Sequence, residues 1–166
     1  MSGGGPFRSV CSRGRYGALV TLDPSFVGRR YPAAESYQVS RAKIAEFAES
    51  LGDGNVLYRD PAAAQAAGYP DVIAPPTFLT IINLMAINAI VGDAELGLDY
   101  SRMVHGDQRF SHERPVHAGD ELWLTTHVDD ISSRAGNDFL TARGEVFDHA
   151  GELVATTRAQ LVVRGE

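Results

Sequence analysis

Two periodicities divide the chain. From Leu122 onward, apolar and polar residues alternate. Leu122, Leu124, Thr126 and Val128 fall on one face of an extended segment, followed by Leu140, Ala142, Gly144 and Val146, and then by Leu153, Ala155, Thr157, Ala159, Leu161 and Val163. A period of two marks β-strands with one buried face. Arg134-Ala135-Gly136-Asn137 and Asp148-His149-Ala150-Gly151 supply turn residues between these runs, so the pattern predicts three long strands in an antiparallel sheet. Met103 to Glu113 reads as a further strand before the loop RPVHAGD.

Upstream the period lengthens. Ile44, Phe47, Ala48 and Leu51 recur at helical spacing behind Ser40, a good N-cap, and Gly52 stops the run. Asp60-Pro61 starts a short second helix that ends at Gly68. Phe26 to Tyr31 reads as an edge segment interrupted by Pro32, and Tyr37-Gln38-Val39 as a short extended stretch. Between these two regimes, Pro75-Pro76 leads into Thr77 to Val91, where eleven of fifteen positions are apolar around most of the circumference. Such a helix is expected to start at Pro76 or Thr77 and to be enclosed rather than to lie on a surface. Small residues on the inner face of the strands (Ala142, Gly144, Ala155, Ala159) would let it approach closely. The predicted class is α+β: one enclosed helix wrapped by one curved antiparallel sheet.

Composition adds boundaries. Apolar content of 44% and charged content of 22% are ordinary for a globular protein, and 166 residues suffice for one well-filled core. Fifteen Lys and Arg against twenty-one Asp and Glu leave a net charge of −6, which argues against a nucleic-acid partner or an anionic membrane surface. The longest apolar run is shorter than the ~20 residues a bilayer span needs. Residues 1–21 are Gly-, Arg- and Ser-rich and read as a flexible tail, leaving 22–166 as a single domain. The lone Cys11 cannot form an internal disulfide, which fits a cytoplasmic location. Five histidines show no metal-ligand spacing and read as ordinary strand or turn residues. No phosphate-binding loop or nucleophile elbow is present, so neither metal nor cofactor is expected.

The candidate chemistry sits in the polar loop that precedes the apolar helix. Its segment GDGNVLYRDPAAAQAAGYPDVIAPPTF, together with the later HGDQRFSHERPVHAGDEL, resembles the MaoC-like (R)-hydratase/dehydratase family of hot-dog proteins. Within that family it is most similar to the A-type subunit of the mycobacterial (3R)-hydroxyacyl-ACP dehydratases, down to the lead-in FVGRRYPAAESYQVSRAKIAEFA. The resemblance runs from about Asp23 to the C-terminus. It implies a hot-dog fold, an acyl-CoA or acyl-ACP substrate, and addition or removal of water across C2–C3 of the acyl thioester. That reaction needs a base for the C2 proton, an acid for the hydroxyl and donors for the enolate-like oxygen.

Active relatives resemble G-D-x-N-P-x-H in the loop and carry a His-Gly pair before the helix. Carried over, Asp53 falls at the catalytic aspartate and Asn55 at the asparagine, while Val56 replaces the proline and Tyr58 stands in place of the histidine. A neutral phenol is a poor base at neutral pH. Pro75-Pro76 replace His-Gly, and proline has no N–H to offer an oxyanion. One such donor is worth ~2.7–4 kcal/mol of transition-state stabilisation. On spacing alone Asp53 is a turn residue and Tyr58 a packing residue; the resemblance gives both a role in a degenerate site.

The resulting expectation is a non-catalytic, acyl-chain-binding subunit of a heterodimeric (3R)-3-hydroxyacyl-thioester dehydratase, whose partner hot-dog subunit supplies the Asp/His pair. Asp53 is the remaining catalytic-type group, and Asn55, Tyr58, Pro76, Thr77, Phe78, Ile82 and Met85 are the expected substrate contacts. Thr77 and Phe78 could also offer backbone N–H groups to a thioester. The alternatives are a self-sufficient homodimeric hydratase, dehydratase or thioesterase using Asp53, and a non-enzymatic acyl-CoA-binding hot-dog.

Overall fold

The alternation at the C-terminal end becomes a six-stranded antiparallel sheet in the computed structural model, which describes residues 22–165. The expected tail and Cys11 lie outside the described residues. In chain order the elements are β1 (Arg30–Pro32), β2 (Tyr37–Gln38), α1 (Arg41–Ser50), α2 (Pro61–Ala66), α3 (Thr80–Val91), β3 (Met103–His112), β4 (Glu121–Arg134), β5 (Asn137–Phe147) and β6 (Leu153–Val163). The sheet order is β1-β4-β5-β6-β3, with β2 also pairing along β4. Pro32 ends β1 on the edge of the sheet, where a missing N–H breaks no ladder.

Three irregularities bend this sheet. The register shifts between Val128 and Asp130 on β4, between His105 and Asp107 on β3, and between Val146 and Phe147 on β5. Bulges increase local twist, which curves a sheet around what it covers. The last shift corrects the expected inner face of β6. Ala155 pairs with Val146 but Leu153 pairs with Phe147, so Val154 is the extra residue. Val154 and Ala155 are both buried, and Leu153 is left 39% exposed. The β4–β5 turn places Ala135 and Gly136 at φ 50° and 76°, the left-handed pair that a two-residue hairpin requires.

Helix α1 is capped as expected, the Ser40 hydroxyl accepting from the Lys43 N–H at 3.2 Å. It buries Ile44 and Ala48, whereas Leu51 falls beyond its last turn and is exposed. Helix α3 begins later than expected. The Phe78 N–H donates to the Pro75 carbonyl at 2.9 Å and the Thr80 N–H to the Thr77 carbonyl at 3.0 Å. Tight turns therefore carry the chain from Pro75 to Leu79 before the α-helical ladder starts.

Helix α3 lies against the concave face of the sheet and sends Ile82, Asn83, Ile87 and Ile90 into it. Phe78, Leu79 and Ile82 pack over Leu122, Leu124, Val146 and Val154, while Ile87 and Ile90 pack over Val128, Leu140 and Leu161. Close approach is purchased at Gly144, where a Cβ would sit 2.5 Å from Thr157 Oγ1 and 2.7 Å from Leu124 Cδ1. Asn83 exploits that approach. It accepts from the Thr157 hydroxyl at 2.8 Å and donates to Gln108 Oε1 at 2.9 Å, clamping the helix to β6 and β3. The helix is not enclosed all round by the described residues, because Leu84 is 48% and Met85 59% exposed.

Candidate functional site

Local hydrogen bonds explain the shape of the loop after α1. Gly52 takes φ 68°, and the Asp53 N–H then returns to the Ala48 carbonyl at 2.9 Å. The Asp53 carboxylate accepts from the Asn55 N–H at 3.0 Å, and the Asn55 side chain accepts from the Leu57 N–H at 3.1 Å. These are the self-bonding turns that Asp and Asn favour. The Arg59 guanidinium closes the loop on the Asp53 carbonyl at 2.6 Å. Asn55 thereby caps a single 3-10 turn, Val56–Tyr58, which drives Tyr58 into the core at 7% exposure.

The segment after α2 brings this loop to the far end of the sheet. The Ile73 N–H donates to the Leu57 carbonyl at 3.1 Å, the Ala74 N–H to the Val116 carbonyl at 2.7 Å and the Ala118 N–H to the Val72 carbonyl at 2.9 Å. The Val116–Ala118 loop is itself held by buried Asp120, which takes two bonds from the Arg114 guanidinium at 2.9 and 3.0 Å and one from the His117 N–H at 2.9 Å. Arg114 also reaches Asp148 at 3.3 Å. The Asp120 partnership raises the Arg114 pKa above its ordinary value. Backbone N–H groups of Glu152 and Ala150, together with Arg114, hold the Asp148 carboxyl below the usual range.

A cavity of about 280 Å³ opens where these pieces meet, with Tyr58, Ile73, Pro76, Leu79, His112 and Arg114 among its walls. His112, the last residue of β3, donates from Nε2 to the Pro76 carbonyl at 2.8 Å. A carbonyl only accepts, so Nε2 carries the proton in this contact. The ring stacks beside Phe110. No feature of the sequence singled His112 out, because its partner lies 36 residues away. Pro76 presents a carbonyl here where an oxyanion would need a donor, and the Phe78 N–H expected to face a ligand is committed to Pro75.

A second cavity, of about 340 Å³, separates α3 from the β1–β2 connector. Ile82, Met85, Ala86 and Ala89 of α3 form one wall, and Leu122 and Leu124 of β4 lie opposite. Tyr31 stands at its side and donates to Asp93 at 2.8 Å, while Arg29 pairs with Asp93 and Glu95. Burial, reinforced by the Asp93 bond, pushes the Tyr31 phenol up to about 12.

The expected site residues are thus divided. Tyr58, Pro76 and Phe78 meet at the first cavity, and Ile82 and Met85 at the second. Phe78 is fully buried, set edge-on between Tyr37 and Phe47. Thr77 is exposed on the turn. Asp53 and Asn55 lie outside the walls of both cavities. Among the described residues, no group of three or more His, Cys, Asp or Glu side chains is arranged to hold a metal ion. None of their helices is long and apolar enough to cross a membrane.

A helix held in a curved antiparallel sheet, entered by a polar loop with a cavity at its start, is the hot-dog architecture of the MaoC-like dehydratases. Residues 25–157 match the FAS1-like, dehydratase domain region family, and the chain belongs to that family. A UPF0336 protein of Saccharopolyspora erythraea is 58% identical over 144 residues, covering 87% of this chain and 92% of that protein. A UPF0336 protein of Streptomyces avermitilis is 56% identical over 145 residues, covering 87% and 97%. Among solved structures, the C-terminally truncated HadBC (3R-hydroxyacyl-ACP dehydratase) complex of Mycobacterium tuberculosis is similar at a TM-score of 0.76 and 28% identity, over 82% of this chain and 96% of that one. A MaoC-like dehydratase matches at a TM-score of 0.76 and 32% identity, over 85% of this chain and 43% of that one.

Proposed function

We propose that this protein is the non-catalytic, acyl-chain-binding subunit of a cytoplasmic heterodimeric (3R)-3-hydroxyacyl-thioester dehydratase. The observation that carries this reading is the composition of the first cavity. It lies at the turn that leads into α3, and its walls hold a phenol, a proline carbonyl, the exposed Glu113 carboxylate and a histidine whose Nε2 is engaged by that carbonyl. Neither an Asp/His pair nor the glycine N–H donor is there, and the Asp53 carboxylate serves its own loop.

Two further features support a second subunit. Leu84 and Met85 expose neighbouring apolar side chains of α3 to solvent, on a helix that is apolar around most of its circumference. Strand β3 has a neighbour on one side only among the described residues, so its other edge is available for pairing. The likeness to one chain of the HadBC complex fits the same arrangement. In this reading the second cavity receives the apolar tail, with Ile82 and Met85 as contacts, while the partner carries out the proton transfers.

The test compares hydration of a crotonyl thioester by the purified chain, by a hot-dog partner with an intact G-D-x-N-P-x-H loop, and by the two co-expressed. Activity is expected from the co-purified pair. Substantial turnover by this chain alone would overturn the proposal in favour of a self-sufficient enzyme using Asp53, and Asp53→Asn would then abolish it.

A further inference from the structure

The ten residues of β3, Met103–His112, pair with β6 on one side and with no described residue on the other. A long open edge normally carries devices against pairing, and charge is one of them. On β3 the charges have opposite signs. Asp107 and Arg109 lie two residues apart, their side chains 49% and 75% exposed and joined at 2.9 Å. They flank Gln108, which turns the other way and bonds to Asn83 of α3, so both stand on the sheet face away from the helix. An edge kept from pairing is better protected by charges of one sign, which repel in every register. Opposite signs repel in some registers and attract in another.

Symmetry sorts those registers. Residues directly opposite in an antiparallel pair share a face, and side chains alternate with period two. A twofold axis perpendicular to the sheet that pairs β3 with its own copy must therefore pass through a residue, never between two. Axes on Asp107, Gln108 and Arg109 keep both charges within the strand and clear of the register shift that precedes Asp107. The axis on Asp107 sets two carboxylates face to face. The axis on Arg109 is worse. Arg109 already lies opposite Arg158 on β6, and Arg158 opposite Arg143 on β5. Two copies would then align these three arginines with their own repeats in one row across the joined sheet. Of these axes, only the one on Gln108 places each Arg109 against the Asp107 of the other copy.

We propose that β3 is a self-recognition edge, along which two copies of this chain pair antiparallel about Gln108, with Asp107 and Arg109 fixing the register. The backbone ladder supplies the contact and the two reciprocal ion pairs select it. Exposed ion pairs are individually weak, whereas like charges set directly opposite destabilise a pairing. The inference rests on the edge strand and is independent of the functional reading above. A heterodimer formed on this edge would replace the second copy.

The test is native mass spectrometry of the full chain, purified without a partner. The native chain should be a dimer. Asp107→Arg and Arg109→Asp should each weaken the dimer about tenfold or more, since both symmetric ion pairs become repulsive. An equimolar mixture of the two variants sets a basic edge against an acidic one and should form a one-to-one dimer as tight as the native one. A single chain carrying both exchanges should pair with itself again, which also shows that the substitutions leave the fold intact. A monomeric native chain, single variants that dimerise at native strength, or a mixture and a double variant that stay apart would each overturn the proposal. A monomeric chain that still activates a partner would remove this inference and leave the subunit assignment standing. A dimer that follows the charge exchanges, in a chain that activates no partner, would do the reverse.

Discussion

The two long faces of α3 are made of similar residues and meet different surroundings. One face sends Ile82, Asn83, Ile87 and Ile90 into the sheet, where an amide side chain bridges Thr157 and Gln108 across otherwise apolar packing. The other presents Leu84 and Met85 to solvent, with Asn88 as the polar residue exposed beside them. The first face is specified within the chain: a glycine cleared from β5 and an asparagine placed opposite it fix depth and register together. The second has no cover among the described residues. A helix that reads as apolar nearly all round is therefore divided between an intramolecular contact that sets the fold and an apolar face awaiting cover.

The contrast can be broken most severely from the sheet side. Gly144→Val would put a branched side chain where even a Cβ lies 2.5 Å from Thr157 Oγ1 and 2.7 Å from Leu124 Cδ1. Leu124 is a packed core residue and Thr157 is tied to Asn83, so neither has free space to retreat. Overpacking of this kind costs about 3 kcal/mol, and urea unfolding should show it as a lower midpoint. An unchanged midpoint would mean that α3 does not sit as tightly on β5 as the geometry requires.

Asn83→Ala tests the polar half of the same contact. It removes both bonds and leaves the Thr157 hydroxyl, 1% exposed, without its acceptor. A loss of about 2 kcal/mol is expected. Adding Thr157→Val should recover part of it, because a buried apolar group needs no partner. Failure of the double variant to recover would place the stabilisation in packing rather than in the hydrogen bond.

These two residues also mark how far the sequence could be read. The alternation of Leu140, Ala142, Gly144 and Val146 was legible because burial on one face imposes period two, and the structure buries all four. Leu153 was misplaced because a single-residue bulge shifts the phase without leaving a compositional mark. The start of α3 was misjudged because Pro75-Pro76 suits a helical first turn equally well. What decides is the Pro75 carbonyl capturing the Phe78 N–H. In the site, Asp53 and Asn55 were readable as loop formers since their bonds are local. The role of His112 was not, since it depends on a carbonyl delivered by a distant turn. The role of Asn83 was not legible either, since its partners Thr157 and Gln108 lie on distant strands.

The smallest effect on the isolated chain should come from the solvent side of α3, and that is what makes it informative. Leu84 is about half exposed and belongs to neither cavity. Leu84→Glu should move the stability of the chain by no more than about 0.5 kcal/mol, as surface substitutions do. In a complex that covers this face, the same carboxylate would be stripped of water without a counter-charge, and burial of an unpaired charge costs several kcal/mol. Native mass measurement after co-expression should therefore show the heterodimer with the native chain and separate subunits with Leu84→Glu, at unchanged melting temperature of the lone chain. A variant that still assembles would place the partner elsewhere, on β3 alone, and leave the apolar strip of α3 without a reason. A variant that melts early would mean that the strip is already covered within the chain, and the distinction between the two faces would fall.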